Sequence, residues 1–173
     1  LMLIGDNPAA KEQAAAALTQ FIDLVNTHPE VHRYHEEHAT TTQTFGMILR
    51  NLNDDANAEV ACADAIRRYD ELAETLPDVP EYRRRSAYAK SSLGRLQQKL
   101  GRPADAEKTF LAAITDFNAA VQAGLDDPQT HDPLAWCHTH LADLLIASGS
   151  PEKARPHYAK ALALRDSLPT SAE

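Results

Sequence analysis

Apolar residues recur along this chain at steps of three and four. One stripe runs through Ser86, Ala89, Leu93, Leu96 and Leu100, and another through Ala106, Phe110, Ala113, Ile114 and Phe117. On a helix of 3.6 residues per turn such steps fall on one face, whereas a strand would need strict alternation. Alternating runs and β-branched clusters are scarce, so the pattern predicts an all-α fold. It places helices near 8–26, 30–52, 56–76, 80–100, 104–123, 132–148 and 151–167.

The stripes repeat. Shifting the chain against itself by 48 residues brings Pro29 onto Pro77, Val31 onto Val79, Tyr34 onto Tyr82 and Leu52 onto Leu100. Ala10, Ala58, Ala106 and Ala154 form one column, and Ala17, Ala65, Ala113 and Ala161 form another. Between them Ala14, Cys62, Phe110 and Tyr158 share a position of mostly larger residues. The register holds without a gap, which is the signature of a repeat architecture.

Each column has a physical meaning. Gly5, Asn53, Gly101 and Gly149 follow a helical run, where a left-handed residue ends the helix. The pairs Arg102-Pro103 and Ser150-Pro151 then open the next helix, proline being tolerated in its first turn. Gly46, Gly94 and Ala142 share a position where small residues let two helix backbones approach. Gly124 stands outside these columns and reads as a helix stop. Each unit is therefore two antiparallel helices, giving a partial unit at 1–28 and units at 29–76, 77–124 and 125–173. Leu1 to Ile4 read as the last turn of a preceding helix. The chain is expected to be a window of a longer array, because an open end leaves an apolar face unpaired.

These residues carry a family resemblance. Leu93-Gly94, Ala106, Phe110 and Ala113 have the small-and-large spacing of a tetratricopeptide (TPR) repeat, and Leu141-Ala142, Ala154, Tyr158 and Ala161 follow it. Phe45-Gly46, Ala58, Cys62 and Ala65 follow it with cysteine in the aromatic place. The chain resembles TPR arrays over nearly its whole length. It departs from them in a unit longer than the family's roughly 34 residues, and in having Asn118 where the family has a terminal proline. Long-helix arrays of this kind resemble segments of large bacterial signalling proteins, some with a serine/threonine kinase domain. No glycine-rich loop, HRD or DFG is present in this sequence.

The resemblance implies a right-handed superhelical α-solenoid whose first helices line a concave groove. Carried over position by position, the groove residues are Thr40, Gln43, Met47 and Arg50 in one unit and Tyr88, Ser91, Arg95 and Gln98 in the next, with Lys99 beside them. The last unit supplies Trp136, Thr139, Asp143 and Ile146. No catalytic, cofactor or metal residue is implied. The expected role is a cytoplasmic protein–protein interaction scaffold that is not itself an enzyme.

Charge sharpens the picture. Between Tyr82 and Ala104 lie seven basic residues and no acidic one, namely Arg83, Arg84, Arg85, Lys90, Arg95, Lys99 and Arg102, in a chain of formal charge −8. Two readings stand. The strip grips an acidic peptide, with Tyr88, Trp136 and Met47 as apolar anchors. Alternatively it neutralises acidic neighbours such as Asp126 and Asp127, with Trp136 partly core.

The remaining chemistry is thin. The acidic balance argues against a nucleic-acid ligand, which needs a basic face, and no apolar run is long enough to span a bilayer. Cys62 and Cys137 lie far apart without a CxxC partner and read as reduced, Cys62 as a buried small hydrophobe in its column and Cys137 as poorly placed to pair with His138. His28, His32, His35 and His38 are crowded into THPEVHRYHEEH. In the repeat register they fall opposite Leu76, Pro80, Arg83 and Ser86, so the stretch reads as the start of a helix with variable polar positions. A histidine-based metal domain is the minor alternative, and a spacer that self-associates through open array ends is the other.

Overall fold

A computed structural model describes residues 7–166 of the chain. Seven helices follow one another, and among the described residues there is no strand. They are α1 (Asn7–Thr27), α2 (His32–Asn51), α3 (Asp55–Thr75), α4 (Pro80–Lys99), α5 (Pro103–Gln122), α6 (Pro128–Ala147) and α7 (Pro151–Asp166). The chain divides into two compact units, Leu1–Pro77 and Asp78–Glu173.

The helix ends are set by the residues the columns single out. Asn53, Gly101 and Gly149 all adopt positive φ, at 58°, 71° and 77°, and Gly124 does so at 102°. After each, the chain turns back; Asp54 N–H, for example, donates to the Leu49 carbonyl at 2.9 Å and Arg102 N–H to that of Gln97 at 2.9 Å. These bonds satisfy carbonyls that the end of a helix would otherwise leave bare. Gly5 and Leu1 to Ile4 lie outside the described residues.

In the first unit α2 packs on both α1 and α3. The Thr40 hydroxyl meets the Tyr69 hydroxyl at 3.0 Å, and further along α2 the Cα of Gly46 stands against Ala61 and Cys62. As α2 advances its contacts on α3 recede, so the two are antiparallel. Tyr69, Ala39, Ala58 and Ala65 are fully buried there, with Leu49 nearly so.

The second unit shows the same order. Tyr88, Lys90, Gly94 and Gln97 of α4 meet in turn Phe117, Asp116, Phe110 and Thr109 of α5. Its core gathers Phe110, Phe117, Ala113, Leu134, Leu141 and Cys137, all between 0 and 2% exposed. Burying an aliphatic or aromatic side chain of this kind contributes roughly 1.5–3 kcal/mol.

Two expectations are corrected. The helix expected from residue 132 begins at Pro128, because Asp127 caps it. The Asp127 carboxylate accepts from the Thr130 backbone N–H at 2.9 Å and from its hydroxyl at 3.0 Å, and Pro128 takes the first helical position. Pro133 is thereby carried inside α6. The buried face of α4 is also wider than the single stripe expected. Ala87, Ser91, Gly94 and Gln97 are buried beside Ser86, Ala89 and Leu96, whereas Leu100 is 41% exposed. A helix packed against α5 on one side and α6 on another buries two stripes, and Leu100 lies past its last turn.

Candidate partner-binding surface

The sequence-predicted residues of the second unit sit on α4 and α6, which touch one another. The central feature is Arg95, whose guanidinium carbon stands 5.0 Å from the centroid of the Trp136 ring. A cation over an indole face is attracted by the ring quadrupole. Trp136 also packs on His140, centroid to centroid at 3.7 Å, and on Phe110, edge to face at 6.0 Å. His140 in turn stacks on Phe110 at 5.8 Å. The indole is therefore packed against the core and also carries a cation. Burial lowers the His140 pKa.

Tyr88 lies on the same helix as Arg95, two turns earlier. It is 46% exposed and rests its ring edge on Phe117 at 6.0 Å. On α6, Asp143 is exposed and accepts a hydrogen bond from the Tyr158 hydroxyl at 2.5 Å. That bond, which favours the protonated phenol, raises the Tyr158 pKa. Thr139 donates to the Ala135 carbonyl at 3.0 Å and accepts from Arg165 at 3.4 Å. Gln98 is half-buried and Lys99 exposed at the C-terminal end of α4. Ser91 differs from the rest: it is 6% exposed, and its hydroxyl donates to the Tyr88 carbonyl at 2.8 Å. It supports the turn beneath Tyr88 and offers no group at the surface.

The first unit holds four more: the Thr40 hydroxyl and the Gln43 side-chain carbonyl both meet the Tyr69 hydroxyl, at 3.0 and 3.3 Å. Met47 of α2 is 46% exposed, and Arg50 is half-buried near the end of the same helix.

The basic strip is partly matched from within. Arg84 bridges Glu81 at 2.5 Å and Asp127 at 3.2 Å, Arg85 pairs with Glu81 at 3.0 Å, and Lys90 pairs with Asp116 at 2.6 Å. The neighbour-neutralising reading therefore describes Arg84, Arg85 and Lys90. Arg95 is engaged differently, through Trp136. Sequence reasoning did not find His140, although it lies four residues after Trp136 and hence on the same helix face. Nor did it find Asp116 as the partner of Lys90, because the spacing across two helices is set by their packing.

The histidines of the THPEVHRYHEEH stretch have separate neighbours, although His32 and His35 line one pocket. The His28 ring lies 6.1 Å from Tyr34, and His35 Nε2 is 2.9 Å from the Pro29 carbonyl. His38 is buried, about 60° around α2 from His35, while His32 is exposed. Among the described residues no group of three or more His, Cys, Asp or Glu side chains is placed to hold a metal ion. Both cysteines are buried and unbonded to one another, and burial pushes their thiols up to about 11 for Cys62 and about 12 for Cys137.

No family model matches this sequence, and no curated protein matches it. Solved structures do. BtubC (BKLC) from P. vanneervenii is 15% identical, over 96% of this chain and 76% of its own, with a TM-score of 0.48. MamA is 14% identical over 96% of both chains, with a TM-score of 0.37. A structure described as MamA MSR-1 C2 is 22% identical over 88% of this chain and 77% of its own, with a TM-score of 0.36. Among the described residues no helix is long and apolar enough to cross a membrane.

Proposed function

We propose that this chain is a protein-interaction scaffold, and that the α4–α6 surface of its second unit binds an acidic peptide or partner segment. The observation that carries this is the Arg95–Trp136 pair. A guanidinium over an indole, with Tyr88 exposed on the same helix, is the aromatic-plus-Arg combination that dominates binding energy at protein interfaces. The groove assignment of Tyr88, Arg95, Gln98, Lys99, Trp136, Thr139 and Asp143 rests on the repeat register, as does that of Met47 and Arg50 in the first unit. Ser91 acts under the surface. The chain performs no catalysis in this reading. The resemblance to long-helix TPR arrays supports a place as a cytoplasmic regulatory segment of a larger bacterial signalling protein, one with a serine/threonine kinase domain among the possibilities it names.

The test is a peptide array of acidic, aromatic-containing sequences probed with the protein and with Arg95→Ala and Tyr88→Ala. Both substitutions are at exposed positions and leave the core intact. Binding weakened by about tenfold or more in each variant, and weakened further by salt, supports the reading. Binding that survives the two substitutions together removes it.

A further inference from the structure

Two histidines are placed unlike the rest. His138 of α6 and His157 of α7 meet Nδ1 to Nδ1 at 2.9 Å, with ring centroids 5.2 Å apart, and His138 is 7% exposed. In the repeat register the same two places hold Thr42 and Ala61 in one unit and Lys90 and Thr109 in the next. The second helix of a unit therefore docks on the first without this tie, and the imidazole pair is a departure made between α6 and α7.

α7 depends on the tie more than its counterparts would. Its buried residues are Ala154 and Ala161, whereas α5 buries Ala106, Phe110, Ala113, Ile114, Phe117 and Ala120. Tyr158 and Leu162, in the columns of Phe110 and Ile114, stand 40% and 62% exposed. The other side-chain ties of α7, the Tyr158 hydroxyl to Asp143 and Arg165 to Thr139, are exposed as well. Small side chains bury little apolar area, so packing holds α7 less firmly than α5.

The pair is sensitive to acid because of how its protons are shared. Between neutral rings one Nδ1 donates and the other accepts. A first added proton lands on Nε2 of the donating ring and leaves the bond in place. A second finds no free nitrogen except the accepting Nδ1, and two N–H groups then face one another across the same 2.9 Å. No neighbour offsets that charge. Lys160 of α7 is the other charged group acting on His138, and it is a cation. Among the described residues no carboxylate of α4, α5, α6 or α7 acts on either ring. Burial and these neighbours hold the His138 pKa down to about 4, and burial lowers that of His157. With α7 apart, both rings titrate in water near 6.5, so opening takes up protons and grows more favourable as pH falls below that value.

We propose that the His138–His157 pair is an acid-released latch, which holds α7 on α6 at neutral pH and lets it detach on protonation while α4, α5 and α6 stay packed. The device stands independently of the α4–α6 surface reading.

The test follows amide exchange of the 173-residue chain by NMR from pH 7.5 to pH 4.5, with opening constants referred to the intrinsic exchange rates at each pH. The amides of α7 open more readily as pH falls below about 6.5, by up to about 100-fold per pH unit for two protons, and those of α5 keep their protection. His157→Gln, whose amide still pairs with His138 but takes up no proton, lowers the dependence to about tenfold per pH unit. The His138→Thr, His157→Ala double variant, which carries the residues the first unit has in these places, removes it. The proposal is overturned if α7 is protected alike at both ends of the range, if α7 and α5 open with a single midpoint, or if His157→Gln keeps the slope of the unaltered chain.

Discussion

Gly94 lies directly against the ring of Phe110. A Cβ placed on Gly94 would come 2.8 Å from Cε1 and 2.9 Å from Cδ1 of that ring, closer than carbon atoms tolerate. Phe110 is fully buried and packed against Trp136 and His140, so it has nowhere to move.

Gly94→Ala therefore destabilises the second unit, although alanine is the better helix former by about 1 kcal/mol. Overpacking of this kind costs about 1–3 kcal/mol. Gly46→Ala meets Ala61 Cβ at 3.3 Å and Cys62 Sγ at 3.4 Å, a milder contact. Thermal melts are expected to fall clearly for Gly94→Ala and to move little, in either direction, for Gly46→Ala. The natural Ala142 in the third copy of this column agrees: its large-residue counterpart, Tyr158, is 40% exposed and turned toward Asp143.

His138 and His157 give the fold a pH dependence. Burial, then the neighbouring His157 and Lys160, hold the His138 pKa down to about 4, and burial with Arg68 does the same for His38. A depressed histidine pKa means the unfolded chain takes up protons first. The stability is complete above the unfolded value near 6.5 and is lost as pH falls toward 4, by up to roughly 3 kcal/mol for each histidine. Melting temperatures are expected to hold from pH 8 to 7 and to drop steeply by pH 4.5, with a shallower drop in His138→Gln.

Asp127 joins two helices through one carboxylate. It caps α6 through Thr130 and pairs with Arg84 of α4, and hydrogen bonds from Thr130 help hold its pKa below the ordinary aspartate value despite some desolvation. Asp127→Ala is expected to cost about 1–2 kcal/mol in denaturant unfolding, and Asp127→Asn less, since asparagine still caps. Equal losses for the two would assign the effect to the charge instead of the cap.

Cys62 and Cys137 are expected to resist thiol reagents. With both buried and their pKa values raised, the thiolate population at pH 8 is small and out of reach. Labelling with a disulfide reagent should be slow in the native protein and complete for both thiols in denaturant. Rapid native labelling of Cys137 would show that α6 opens locally.

Periodicity and repeat register determined a great deal on their own. The all-α class, six of the seven helices to within about two residues, and the chain reversals at Asn53, Gly101, Gly124 and Gly149 follow from local rules. Those rules act within one turn of helix, so a single sequence exposes them. The start of α6 was missed because capping by Asp127 depends on one side-chain hydrogen bond that periodicity does not register.

The surface chemistry was decided by tertiary structure. That Lys90 finds Asp116, that Arg84 finds Asp127 and that Arg95 covers Trp136 depends on which faces of separate helices are brought together. The same holds for Ser91, legible as polar and groove-facing, which packing turned inward. The Gly46, Gly94 and Ala142 column was legible as small, but that Gly94 stands hard against the Phe110 ring while Gly46 meets Ala61 and Cys62 was decided by packing. A column shows that a residue is small. Only the packed helices show whether its neighbours close the space or leave it open.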